Sequence, residues 1–122
     1  MLNLGLIGYG YWGPNLIRNF LATDRLNLIK IYDLDSKKFN KIQSKYSNVF
    51  IARNINEIIE NEDINIIAIA TPVSTHFDLA LKALNNNKHV LIEKPMASSS
   101  AECQQLINEA KKRNLVLMVD HT

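Results

Sequence analysis

The chain of 122 residues has one cysteine, Cys103. A single thiol excludes an intrachain disulfide framework and any multi-cysteine metal site, and it suits a reducing cytosol; no metal is expected. Long hydrophobic runs are also missing. The apolar start from Met1 to Gly8 carries no basic leader, and no later stretch nears the roughly 18 residues of a membrane span, so a soluble cytoplasmic protein is expected. Charge of one sign is lacking too. Fourteen Lys+Arg against twelve Asp+Glu leave +2, too balanced for the basic footprint that nucleic-acid backbones require. The length excludes a two-domain enzyme, since one core organises roughly 100 to 200 residues. With 47% hydrophobic and 21% charged residues the chain can bury a core and is not disordered.

Glycine is the most informative scarcity. There are four, Gly5, Gly8, Gly10 and Gly13, all within the first 13 residues. Glycine costs backbone entropy and is kept where a side chain does not fit, so the cluster marks a place where the backbone turns tightly or approaches something closely.

Along the chain, apolar β-type runs alternate with helical spacings. Leu2–Ile7, Asn27–Tyr32, Val49–Ile51, Ile64–Ala70, His89–Ile92 and Leu115–Val119 read as strands, several without polar alternation, as expected when both sheet faces are covered. Ile17, Phe20 and Leu21, then Phe39, Ile42 and Tyr46, then Phe77, Ala80, Leu81 and Leu84, and finally Cys103, Leu106, Ile107 and Ala110 mark buried helical stripes. Pro14 suits a first helical position, and Ser99 with Glu102 has capping-box spacing. Lys111, Lys112 and Arg113 complement the negative end of the last helix, a solvated terminus and not a binding patch. The alternation predicts one dinucleotide-binding domain over residues 1–122, an α/β doubly wound parallel sheet of the Rossmann type with strand order 3-2-1-4-5-6.

Gly8-Tyr9-Gly10-Tyr11-Trp12-Gly13 has the G-x-G-x-x-G spacing. The pattern alone is weak, but here it follows an apolar strand, opens a helix at Pro14, and precedes Asp33 at the end of the second strand, 20 residues after Gly13. In that context Gly8 permits the tight turn, Gly10 the approach of a pyrophosphate, and Gly13 the packing of helix on strand. Tyr11 and Trp12 are large for such a loop and are expected to wall the nicotinamide side or a neighbouring domain. Asp33 is expected to accept from both adenosine ribose hydroxyls and to repel a 2'-phosphate, which makes NAD the preferred cofactor. Asp35 and Ser36 read as a helix cap, while Lys37 and Lys38 follow closely enough to reach a phosphate.

A second cluster ends the fourth and fifth strands. Ala70-Thr71-Pro72-Val73-Ser74-Thr75-His76 and Glu93-Lys94-Pro95 both fall at the carboxyl edge of the sheet, beside the crevice where such folds bind ligands. A lysine there has a rationale as donor to a substrate hydroxyl whose carbon gives hydride to nicotinamide. Taken alone, a lysine such as Lys94 is more often an ordinary surface lysine, and a histidine such as His76 an N-terminal helix residue hydrogen-bonded to backbone.

Together, GYGYWG, YDLD, ATPVSTHFDLALKAL, KHVLIEKP and LMVDHT are similar to the amino-terminal domain of the glucose-fructose oxidoreductase, inositol dehydrogenase and MocA family, across essentially the whole chain. EKP after a KHV strand is the more specific mark, and GYGYWGPN with ATPVSTH looks most like members that oxidise nucleotide-linked sugars. The resemblance implies that Lys94 contacts substrate and cofactor ribose, that Glu93 orients it, that the Lys94–Pro95 peptide is cis, and that Thr71, Pro72 and His76 flank the nicotinamide. It implies an NAD-dependent dehydrogenase acting on a sugar secondary alcohol. Two departures stand out. Asp120 precedes His121 where the family usually has a small residue, and members continue into a substrate domain, carrying a histidine base that His121 does not match. This chain is therefore expected to lack that second domain, to meet its sugar substrate and any oligomer partner only in a longer protein, and to be inactive alone. The alternative reading is a non-catalytic NAD-binding or sensing module. A receiver-type flavodoxin-like domain is disfavoured, because its acidic pair after strand one is replaced by Gly8 to Gly13.

Overall fold

The computed structural model describes residues 2–8, 25–33, 35, 37–45 and 48–120, apart from the side chains of Lys38 and Asp120. Six strands are seen: β1 (Leu2–Ile7), β2 (Leu26–Tyr32), β3 (Phe50–Ile51), β4 (Ile66–Ile69), β5 (His89–Glu93) and β6 (Leu117–Asp120). They form one sheet in the order β3-β2-β1-β4-β5-β6, and every pairing is parallel. This is the expected Rossmann order. The chain starts in the middle of the sheet, builds outward to β3, then returns across β1 to build the other half.

Among the described residues, the helices that cover the sheet are α1 (Lys37–Lys45), α2 (Asn56–Ile59), α3 (His76–Asn85), preceded by a 3-10 turn over Val73–Thr75, and α4 (Ser100–Lys112). Period-two alternation divides the strand side chains between two cores, broken once in β2, where the register against β1 shifts between Leu4 and Gly5 and brings Leu28 and Ile31 to the same face. Leu4 and Leu6 of β1, Leu28 and Ile31 of β2 and Ala68 of β4 join Ile42 of α1 on one face. Ile7 of β1, Ile67 and Ile69 of β4, and Val90 and Ile92 of β5 join Ile58, Leu84, Leu106 and Ala110 on the other. Both faces are thus buried, which is why β1 and β4 carry apolar residues without polar alternation.

Several boundaries differ from the expected ones. The fourth strand is Ile66–Ile69 and not Ile64–Ala70, and the sixth is Leu117–Asp120 and not Leu115–Val119. The reasons are local. Ile64 is 1% exposed and packs in the core from the approach to β4, and Leu115 closes α4, its amide donating to Ala110 O at 2.9 Å. The fully buried stripe of α3 is His76, Leu79, Ala80, Ala83 and Leu84, while Phe77 and Leu81 lie half-buried at its margin. In α4, Leu106 and Ala110 are buried and Cys103 is half-buried against the same core. The short α2 was not expected, although Ile55, Ile58 and Ile59 have helical spacing.

Glycine scarcity shapes the helix ends. Both α3 and α4 end in a left-handed residue, and with no glycine beyond Gly13 the position falls to Asn87 (φ 61°) and Asn114 (φ 57°). Asn is the L-residue that best tolerates this conformation. In each case the paired C-terminal bonds form, Lys88 N to Ala83 O and Asn87 N to Leu84 O in α3, Leu115 N to Ala110 O and Asn114 N to Lys111 O in α4. At the other end of α4, Ser99 accepts from the Glu102 amide at 3.2 Å and Glu102 accepts from the Ser98 amide at 3.1 Å. The predicted cap is present, with the glutamate bonding one residue before the serine. Lys111 and Lys112 are exposed, whereas Arg113 turns back onto Glu109 at 2.7 Å and onto Asn87 at 3.3 Å.

Candidate functional site

The carboxyl ends of β1, β2 and β4 meet around Gly8. Its φ of +91° is a conformation that L side chains rarely adopt. A Cβ at this position would lie 2.8 Å from the carbonyl carbon and oxygen of Ala70 and from Cγ2 of Thr71. Those atoms do not yield easily, because the ends of the three strands are bonded together: Gly8 N donates to Tyr32 O at 2.7 Å and Ala70 N to Ile7 O at 2.8 Å. The first glycine of the motif is thus required by the join between β1 and β4. Gly5 serves another purpose. It lies inside β1, where an added Cβ would meet Ile58 Cγ2 at 2.5 Å and Ile64 Cδ1 at 3.0 Å, so it admits α2 against the sheet and is not part of the turn. Gly10, Tyr11, Trp12, Gly13, Pro14 and the stripe of Ile17, Phe20 and Leu21 lie outside the described residues, as do Ser36, Tyr46 and His121.

Asp33 directly follows β2 at the same edge and is buried, at 9% exposure. Its Oδ1 accepts from the Asp35 amide at 2.8 Å, which fixes the carboxylate beside the first glycine. Asp35 in turn accepts from the Lys37 amide at 3.1 Å, the helix-cap role expected of it. A buried carboxylate held at the end of the second strand is an acceptor suited to paired hydroxyls, such as those of a ribose.

The loops after β4 and β5 are joined by His76. Its ring is 2% exposed, with Nδ1 2.9 Å from Pro95 O and Nε2 2.8 Å from Thr71 O. Of the two roles open to it, bonding to backbone is therefore the one observed. A neutral imidazole satisfies one of two facing carbonyls and an imidazolium both. Thr71 is half-buried and Pro72 exposed on the rim of the same crevice. The Lys94–Pro95 peptide is cis. Glu93, the last residue of β5, is half-buried and pairs in register with Asp120, and Lys94 beside it is exposed. The edge thus offers a glycine turn, a fixed carboxylate, a threonine rim and an exposed lysine. That set can hold a ribose-bearing cofactor and donate to a substrate oxygen.

At the opposite end of the sheet, Lys88 was missed by sequence reasoning. It is buried, and Nζ donates to Asn61 O at 2.5 Å and Ile64 O at 2.7 Å. Burial holds the ammonium below the usual lysine range, against the opposing pull of Glu62 and Asp63. A lysine just before a strand reads as an ordinary loop residue, and its partners lie 24 and 27 positions earlier, so the sequence carried no local signal for it. Thr75, quoted within a motif but given no role, also takes part in the edge: it stands at the N-cap position of α3 without capping it, its hydroxyl turned back to Pro72 O. Among the described residues no cluster of His, Cys, Asp and Glu is gathered as metal ligands, and no helix is long and apolar enough to cross a membrane.

Comparison with known proteins agrees with this geometry. The GFO/IDH/MocA model, an oxidoreductase family with an NAD-binding Rossmann fold, matches residues 2–121. Among similar proteins, an inositol 2-dehydrogenase from Salmonella typhimurium is 30% identical over 97% of this chain and 35% of its own length. An uncharacterized oxidoreductase from Streptococcus pneumoniae is 26% identical over 99% of this chain and 32% of its own. Among solved structures, biliverdin reductase from Synechocystis, in complex with biliverdin and NADP+, superposes with a TM-score of 0.93 at 25% identity, covering 98% of this chain and 38% of that one. An NAD-binding protein from Listeria innocua gives 0.91 at 29%, covering 97% and 34%. The chain spans about a third of the length of the curated relatives it matches.

Proposed function

The chain belongs to the glucose-fructose oxidoreductase, inositol dehydrogenase and MocA family as its NAD-binding Rossmann domain, and from that premise we propose that it serves a dehydrogenase acting on the secondary alcohol of a sugar or nucleotide-linked sugar. The observation that carries the reading is the convergence at one sheet edge of Gly8, Asp33, Thr71, the His76-to-Pro95 bond and Lys94. The cradle at Gly8, closed to any side chain by Ala70, fits a ligand that approaches the backbone closely, as a dinucleotide pyrophosphate does.

In this reading Gly8, with Gly10 and Gly13, admits the pyrophosphate, Asp33 accepts from the adenosine ribose, and Tyr11, Trp12, Thr71 and Pro72 border the nicotinamide. His76 keeps the loops after β4 and β5 in register. Lys94 donates to the substrate hydroxyl and Glu93 orients it. When bound, NAD supplies the hydride acceptor for the carbinol carbon. The hydroxyl proton passes to a base outside these 122 residues, in the substrate domain of a longer protein. An exposed Lys94 at the cofactor edge is what separates this reading from a non-catalytic nucleotide-binding module.

The test measures binding and turnover separately. Calorimetric titration should show NAD binding more tightly than NADP, and a panel of nucleotide sugars and polyols should give no NADH with the 122-residue chain. Equal or tighter NADP binding refutes the role of Asp33. Robust turnover shows that the active site is complete within this chain and refutes the need for a second domain.

A further inference from the structure

Two threonines at the edge form a directed chain of hydrogen bonds. Pro72 O accepts from both the amide of Thr75, at 2.9 Å, and its hydroxyl, at 2.7 Å. A carbonyl has no hydrogen to give, so the single hydroxyl hydrogen of Thr75 is committed there. The Thr71 hydroxyl lies 2.6 Å from that of Thr75. With the Thr75 hydrogen already engaged, Thr71 is the donor of this contact, and its oxygen keeps both lone pairs with no hydrogen left to offer.

Thr71 cannot turn away to escape this arrangement. Its carbonyl lies 2.8 Å from His76 Nε2, and its Cγ2 borders Gly8, 2.8 Å from where a Cβ would stand. The hydroxyl is thus fixed in position by one neighbour and in polarity by another. An oxygen of this kind accepts from a donor and repels a second acceptor such as a carboxylate or phosphate oxygen.

We infer that Thr75 is a positioning residue that sets the Thr71 hydroxyl as an acceptor-only group, so that what it meets on the nicotinamide half of NAD is a hydrogen-bond donor, a ribose hydroxyl or the carboxamide NH2. This rests on the cofactor reading above. Thr75 itself is exposed, and valine has the same shape without the hydroxyl, so the substitution removes the contact with Thr71 and the hydroxyl bond to Pro72 O, which keeps the Thr75 amide as donor.

The experiment titrates wild type, Thr75→Val and Thr75→Ser with NAD and with ADP, which carries only the adenosine half. In Thr75→Val the Thr71 hydroxyl loses its acceptor and rotates freely. NAD affinity should fall about fivefold, the worth of one neutral hydrogen bond. ADP affinity should be unchanged, and Thr75→Ser, which restores the hydroxyl, should bind both ligands as wild type does. Nicotinic acid adenine dinucleotide, with a carboxylate in place of the carboxamide, identifies the donor: the Thr75→Val effect persists with it when the partner is a ribose hydroxyl and disappears when it is the carboxamide. Three results overturn the inference: unchanged NAD affinity in Thr75→Val, a parallel loss of NAD and ADP, or failure of serine to rescue. Failure of wild type to bind either NAD or ADP overturns the cofactor reading and this inference with it, whereas normal wild-type binding with an unaffected Thr75→Val overturns the inference alone.

Discussion

Replacing Gly8 by alanine tests the join between sequence motif and sheet. Two separate costs arise. Holding an L-residue at φ +91° costs about 1–3 kcal/mol. The new Cβ also falls 2.8 Å from the Ala70 carbonyl carbon and oxygen, backbone atoms tied into the sheet by the Ala70 N to Ile7 O bond, and forced overlap of this kind costs roughly 1–3 kcal/mol more. The total of about 2–6 kcal/mol, at a urea slope of about 2 kcal/mol/M, moves the unfolding midpoint down by roughly 1–3 M. Gly5→Ala is the control. Its overlap is with side-chain atoms only, the Cγ2 branch methyl of Ile58 and the Cδ1 end of Ile64, and no positive φ is involved. It should cost about 1–3 kcal/mol of stability by overpacking, yet leave NAD affinity within about twofold at temperatures where the variant is folded, a residual well under 1.4 kcal/mol. Gly8→Ala should lose NAD affinity at least about tenfold under the same conditions, because relief of the clash must shift the β1 or β4 end into the cradle. Denaturant unfolding followed by calorimetry on the folded fraction checks both. A Gly8→Ala chain with the wild-type midpoint and wild-type NAD affinity refutes the reasoning.

Three further outcomes are expected. Asp33→Asn keeps an oxygen for the Asp35 amide but removes the charge, so it should weaken NAD binding by about 1.5–3 kcal/mol and narrow the gap to NADP, measured by titration with both cofactors. Lys88→Met takes the ammonium donor from the Ile64 carbonyl and one of two donors from the Asn61 carbonyl, which keeps the Ile64 amide at 3.1 Å, and should cost about 1–3 kcal/mol in thermal or urea unfolding. Because the folded chain holds Lys88 below the usual value of 10.5, the unfolded chain binds more protons in the window beneath that value, so its contribution makes stability rise with pH there; the difference between wild type and Lys88→Met should grow as pH approaches 10.5. Cys103, half-buried against the core, should react slowly with a bulky thiol reagent in the native chain and completely in urea; fast native labelling contradicts its packing role.

The sheet was legible because its strands are buried on both faces and so announce themselves as unbroken apolar runs, and because Gly8 and Asp33 sit at fixed offsets from β1 and β2. The short α2 escaped notice, since four residues hold too little of a period to outweigh the strand runs around them. Gly5 illustrates a second kind of miss. Its position in the glycine cluster pointed to the turn, but the reason for it is Ile58, more than 50 residues away, and close packing between distant segments leaves no local signature. His76 and Thr75 are similar cases at the site itself. Their residue types were visible in the ATPVSTH motif, but the His76 contact with Pro95 O depends on how the loops after β4 and β5 lie together, and the Thr75 bond back to Pro72 O on the local turn of the loop after β4. Lys88 was hidden for the same reason, its partners lying 24 and 27 positions earlier.

The most direct test of the central claim is to map NAD onto the chain by backbone amide chemical shifts. Addition of NAD should shift Gly8, Asp33, Thr71, Thr75 and Lys94, at the carboxyl ends of β1, β2, β4 and β5, and leave Asn3, Asn65 and Lys88 at the opposite end unchanged. Shifts confined to the Asn3, Asn65 and Lys88 end, or no shifts at saturating NAD, contradict the account.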